Sequence, residues 1–346
     1  MKAAVTEGRG DIRLVDVPVP EAGSYRCLCK TLACATCTGT ELKVISSRIP
    51  WQVSYPGIVG HESVGVVLQP GEKARYVKKG DVYLRPTAVY SGSRLGAYDS
   101  MLGGFSEYGL ITDTKAFMED NPGAPLGYSV FQMKVPAGIN VSAADLTSVI
   151  TLKETAGYVG DIGFPVNSSV VILGAGPVAM AMAFFAKING AFPLICVARR
   201  DEPLEYMKRF GVNRTVNIKK EDLGAKVMEA TGGMGAEYII DTAGAAGLFL
   251  EAFKTLAPGG RMAPYATYDH PEKLKAVDSK FIINAKTGEV LTHQYIFDLV
   301  RMGVINLKNF YSHRMPFKDI TRGFEMLKEK KAFKIVFEMD APGGEE

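Results

Sequence analysis

The chain has 346 residues, 47% of them hydrophobic and 22% charged, with a formal net charge of +3. That length suits two domains rather than one small core, and so small a net charge excludes the broad basic field that holds nucleic acid nonspecifically. There is no run of ~18 apolar residues to span a bilayer, and MKAAVTEGRGDIRLVDV carries charges where a secretory leader needs its apolar core. A cytoplasmic protein without a membrane partner is therefore expected, and its five cysteines point to reduced thiols rather than a disulfide framework.

Residues 1 to about 140 read as short strands broken by Gly and Pro: YRCLCKTLACATC alternates, IVGHESVGVVL is nearly continuous and apolar, and KKGDVYLRP is a turn entering a strand. The pattern changes at VSAADLTSVITLKETAGYVGDIG, which has helical spacing, with Ser142 as its N-cap and Asp145 three residues on. Strands and helices then alternate. SSVVILGAG, PLICVA, AEYIIDTAG and GGRMAPYAT are strands, with PVAMAMAFFAKING, EPLEYMKRFG and GLFLEAFKTLA as helices. That alternation predicts an α/β fold with a doubly wound parallel sheet of Rossmann type. Beyond Lys286, HQYIFDLVRMG and DITRGFEMLKEKK read as amphipathic helices and FKIVFEM as a strand, before the tail APGGEE. The expected division is a dinucleotide-type domain at 146–285, inserted in a β-rich domain made of 1–145 and 286–346.

Within VVILGAGPVAMAMAFFAK, Gly174 permits a tight turn and Gly176 lets backbone approach a pyrophosphate. Pro177 and Val178 open the helix whose N-terminus attracts the phosphates, and the small Ala179 lets that helix pack close to the strand. An NAD site needs an acid at the end of the next strand, ~20 residues on, for the ribose 2′-hydroxyl. That strand ends at Ala198, followed by Arg199 and Arg200, whose guanidiniums suit a 2′-phosphate. NADP is favoured over NAD. The alternative is that both arginines are merely solvated and Asp201 serves the ribose.

His61 and Glu62 interrupt the apolar PGIVGHESVGVV, where a buried charged pair must be matched by something. Cys37, in ACATCTGTELK, adds a thiolate to the imidazole and carboxylate, the donor types zinc takes in catalytic sites. At this separation the signal is weak on its own. A buried thiol and a core histidine bonded to a carbonyl would leave the same sequence.

The order of motifs resembles the zinc-dependent medium-chain dehydrogenase/reductase family of alcohol, sorbitol, threonine and glucose dehydrogenases. CTGTE from Cys37, PGIVGHE from Pro56, KKGDVY from Lys78, GGFSEY from Gly103, VILGAGPVA from Val171, YIIDTAG from Tyr238 and LAPGGRM from Leu256 carry it. The resemblance runs over nearly the whole chain and implies that the β-rich part is a GroES-like catalytic domain. It also implies one catalytic Zn²⁺ among Cys37, His61 and Glu62, with Glu62 either a direct ligand or one that exchanges with water. Thr40 would take the substrate's proton, and Glu41 would support the metal site from behind. Lys43 stands where relatives often carry a histidine that completes the proton relay. Glu154 is the candidate fourth ligand, on a shifted alignment. RPTAVYSGSRLGAYDSMLGG has none of the four cysteines that hold a structural zinc in many relatives, so one metal is expected.

Zinc would lower the pKa of a bound alcohol as it does that of bound water, and hydride would pass to the nicotinamide. By analogy with relatives the substrate is a secondary alcohol of the sugar, polyol or cyclitol class. Trp51 and residues 90–99 are candidates to shape the pocket, and a homodimer or homotetramer is expected. Two rival classes are a zinc-free quinone or enoyl reductase and a non-catalytic metal-binding relative. Cys34 with Cys37 forms a C-x-x-C, read as structural on Cys34's side. Cys27, Cys29 and Cys196 are read as packing, and His270, His293 and His313 lie outside any metal motif. Lys334 is either a basic residue near the cofactor or an edge-strand lysine that discourages aggregation.

Overall fold

Apolar strand segments pair into three sheets in the computed structural model, which describes residues 1–268 and 270–340. The chain divides into two units, one made of residues 1–150 and the chain from His293 onward, the other Thr151–Thr292. The helix Ala143–Ile162 runs through the first division, so no loop marks it. The expected limits of 145 and 285 lie a few residues earlier than these.

The second unit is a five-stranded parallel sheet. Its order is Arg214–Asn217, Leu194–Ala198, Val170–Leu173, Ala236–Asp241 and Leu256–Pro264. Val171, Leu173, Ile195, Val197 and Phe249 share its core, and a strand covered on both faces must be apolar throughout, as VVIL is. The strand Arg214–Asn217 and the helix Leu223–Ala230 are absent from the sequence reading. RTVN is short and lies at the sheet edge with its arginine exposed, so its apolar signal is weak. The sheet order reverses about Val170–Leu173, and ligands of open α/β sheets bind beyond the carboxyl ends of strands at such a reversal.

The first unit holds a five-stranded and a six-stranded sheet. In the larger one, Arg26–Ala35 pairs with both Glu62–Gln69 and Ile335–Glu338, antiparallel in each case. The register sets Ala35 against Glu62 on one side and Val336 on the other. Phe105, Phe324, Phe337 and Cys34 pack into one cluster of this unit, with Phe105 edge-on to both other rings at 6.0 and 6.4 Å. This half is not purely β: Thr114–Asp120 is a helix, with Asp113 accepting the N–H of Ala116 at 3.0 Å as its cap. Ser142 caps Ala143–Ile162, accepting from the Asp145 N–H at 3.1 Å while its hydroxyl donates to the Asp145 carboxylate at 2.8 Å.

Candidate active site

Three chain segments meet at the end of the strand Arg26–Ala35. Beyond Ala35 the backbone turns at Cys37, whose carbonyl accepts from the N–H groups of Thr40 and Glu41 at 3.1 and 2.9 Å, and the short helix Glu41–Ile45 begins. The chain reaches His61 through Gly60, at φ +97; a Cβ there would meet the Phe105 ring at 2.4 Å and its backbone nitrogen at 2.6 Å. Only glycine fits that turn. The third segment arrives at Ile335, whose N–H donates to Thr36 Oγ1 at 3.0 Å while its carbonyl accepts from the Thr36 N–H at 2.9 Å.

Donor atoms of Cys37, His61 and Glu62 lie within 4.8 Å of one another. Thiolate, imidazole and carboxylate at that spacing, with His61 and Glu62 buried, fit a zinc ion that keeps one position for substrate. Glu41 stands behind them, 2% exposed. Its Oε1 lies 2.6 Å from His61 Nδ1 and its Oε2 accepts the Cys37 N–H at 2.6 Å, so one carboxylate orients two donors. With Nδ1 directed at Glu41, Nε2 is the imidazole nitrogen left for a metal. Burial opposes the imidazolium, yet Glu41 and the Cys37 thiol hold the His61 pKa well above its ordinary value. The same electron-rich surroundings favour a metal cation.

Thr40 Oγ1 is 3.8 Å from Cys37 Sγ, and Lys43 is half-buried in the helix that Glu41 opens. The Lys334 ammonium forms an ion pair with Glu62, each side chain 2% exposed. It is therefore not an exposed edge-strand lysine. Arg85 also serves this place: buried, at φ +62, it donates to the His61 carbonyl at 3.1 Å. Sequence reading missed both contacts, because nothing local to Lys334 or Arg85 names its partner.

Glu154 is not one of the three grouped donors; its carboxylate accepts from the Tyr265 hydroxyl at 3.2 Å. His293 is buried, with Nε2 2.9 Å from the Lys134 carbonyl, and is not a solvated helix cap. Cys27, Cys29, Cys34 and Cys196 are all fully buried, and burial raises each thiol's pKa.

In the second unit, Gly174 takes φ +111, and a Cβ there would strike Thr242 Oγ1 at 2.5 Å. Gly176 differs. Its backbone is extended, and a Cβ would meet no atom within 4 Å, so neither strain nor packing requires glycine there. The space left is in front of the helix Pro177–Ile188, at its unpaired N–H groups, where a pyrophosphate fits. Pro177 occupies the first turn, Val178 follows it, and Ala179 is fully buried beneath. Beyond Ala198, Arg199 and Arg200 are exposed and have no hydrogen-bond or ion-pair partner among the described residues. Asp201 is already engaged, with Lys220 at 2.5 Å and Asn217 at 2.7 Å.

The description "Zinc-binding dehydrogenase" matches residues 177–293, and "Alcohol dehydrogenase GroES-like domain" matches residues 23–119. L-threonine 3-dehydrogenase of Pyrococcus abyssi is 28% identical over 94% of this chain and 94% of its own. The chain belongs to the zinc-dependent medium-chain dehydrogenase/reductase family. L-threonine 3-dehydrogenase of Bacillus subtilis is 26% identical over 93% of this chain and 94% of its own. Among solved structures, 2R,3R-butanediol dehydrogenase from Bacillus subtilis superposes with a TM-score of 0.77 at 20% identity. That match covers 98% of this chain and 99% of that one. These relatives are named for the oxidation of CH–OH groups, and this chain shares their GroES-like and Rossmann-like parts.

Proposed function

We propose that this family member oxidises a small secondary alcohol with a neighbouring hydroxyl, of the polyol, sugar or cyclitol class, with NADP as hydride acceptor, and also runs the reverse reduction. The observation that carries the reading is the grouping of Cys37, His61 and Glu62 with Glu41 bonded behind two of them. Threonine and 2R,3R-butanediol, in the names of the relatives, are both small secondary alcohols, and the second has the neighbouring hydroxyl.

Cys37, His61 and Glu62 would hold one zinc ion, which supplies Lewis acidity toward a substrate hydroxyl when bound. Glu41 fixes the His61 tautomer and the Cys37 backbone, so neither donor reorganises during turnover. Thr40 would accept the alcohol's proton while passing its own hydroxyl proton on toward solvent, with Lys43 as the proposed exit. Lys334 balances the charge of Glu62. Glu154 is left as a proposed ligand only under rearrangement from its bond to Tyr265. Gly174, Gly176, Pro177 and Val178 receive the pyrophosphate at the helix N-terminus. Beside Ala198, Arg199 and Arg200 take the 2′-phosphate, since Asp201 is committed to Lys220 and Asn217. No described helix is long and apolar enough to cross a membrane. A cytoplasmic dimer or tetramer completes the proposal.

Elemental analysis of the protein beside Cys37→Ser, followed by a polyol screen with NADP and NAD, tests it. The expected result is zinc near one per chain, lost in the variant, and turnover with NADP. Absence of zinc in the parent protein after zinc is supplied would overturn the metal reading and favour a zinc-free quinone or enoyl reductase.

A further inference from the structure

The first unit contains a cavity of about 550 Å³ that includes none of the metal donors. Its walls are the rings of Tyr25, Tyr90, Phe117 and Tyr128, with Arg26 and Ser129 among the polar residues. That volume lies in the range of small-molecule sites. Tyr25 and Phe117 meet edge to face at 5.4 Å, and the Arg26 guanidinium sits 4.5 Å from the centre of the Tyr90 ring.

The polar atoms of the floor are already committed. The Tyr90 hydroxyl bonds Thr112 Oγ1 at 2.8 Å and Gln132 Oε1 at 2.9 Å, and Thr112 Oγ1 bonds Ser129 Oγ at 2.9 Å. The Tyr25 hydroxyl donates to Asp120, whose charge is balanced by Arg75. Only the hydroxyls of Ser24, Ser91 and Tyr128 carry no such bond among the described residues of the lining. Arg26 is the one charged residue of the lining, and its guanidinium is exposed with no hydrogen bond or ion pair among the described residues. Arg13, Arg75, Arg301 and Arg314 each hold a carboxylate.

We propose that this cavity is a second small-molecule site, which takes an aromatic carboxylate, its ring against Tyr25, Phe117 and Tyr128 and its anion on the fork of Arg26. Ring stacking and a charge-assisted pair are the two interactions the lining offers. Part of the wall, Tyr90 and Ser91, comes from the segment RPTAVYSGSRLGAYDSMLGG.

The probe is 1-naphthoate, titrated by fluorescence into the metal-loaded protein, with neutral 1-naphthamide as control. Saturable naphthoate binding is expected, weakened about tenfold or more in Arg26→Gln and also weakened in Tyr128→Ala. Naphthamide should bind the parent and Arg26→Gln alike. Equal affinity of naphthoate for the parent and Arg26→Gln would overturn the site, as would no saturation below ~1 mM. Competition with the alcohol substrate, unaffected by Arg26→Gln, would place the probe at the metal centre instead and equally overturn it.

Discussion

In the unit 151–292 the residues assigned to the dinucleotide run from Gly174 to Arg200, at the carboxyl ends of two consecutive strands and the first turn of the helix between them. In the other unit, Cys37, His61 and Lys334 come from segments far apart in the chain, joined only by strand register. Local geometry makes the first site, whereas the second exists only once long-range pairing is complete. Damage to one should therefore leave the other readable.

The largest effect expected is from Cys37→Ser. Activity should fall about 10³-fold or more, the equivalent of the several kcal/mol a Lewis-acidic ion supplies, with NADPH binding by fluorescence unchanged. Loss of NADPH binding in this variant would break the separation. Next is Lys334→Met, which leaves Glu62 buried without its lysine. Denaturant unfolding of the metal-free protein should show a loss of about 3–5 kcal/mol, reduced when zinc is supplied. If zinc makes no difference, Glu62 is not a metal ligand. Arg199→Ala with Arg200→Ala should raise the KM for NADP by about 10–100-fold, the loss of one or two charge-assisted pairs. Zinc content and the KM for NAD should stay as they were.

The smallest effect concerns Asp241, at the carboxyl end of its strand, whose carboxylate accepts the N–H groups of Ala243 and Gly244 and the hydroxyl of Tyr268. Burial raises its pKa despite those bonds. A carboxyl raised in the folded state contributes stability below its unfolded pKa and loses it as pH rises through the folded value. Asp241→Asn should remove that decline from the pH–stability curve. An unchanged curve would show that the group does not titrate in that window.

The same contrast explains what the sequence could reveal. Alternation of VVIL, LICVA and AEYIID with helices announced the parallel sheet, because strands buried on both faces leave continuous apolar runs. The edge strand RTVN escaped notice for want of such a run. Gly174 and Gly176 were readable because their roles are local. Cys37, His61 and Glu62 were joined by family resemblance, since no periodicity links a turn to a strand so far along. The Lys334 pair with Glu62 and the Arg85 bond to His61 escaped for the same reason. Each depends on a partner that only tertiary pairing selects.

The pairing of Thr36 with Ile335 spans 299 residues. A ribosome therefore makes Cys37, His61 and Glu62 well before it supplies Lys334. Until then the Glu62 carboxylate has no Lys334 to fold against, and its strand lacks the neighbour Ile335–Glu338 gives Arg26–Ala35. A chain stopped short of Lys334 would carry Cys37, His61 and Glu62 but leave the Glu62 carboxylate without its countercharge.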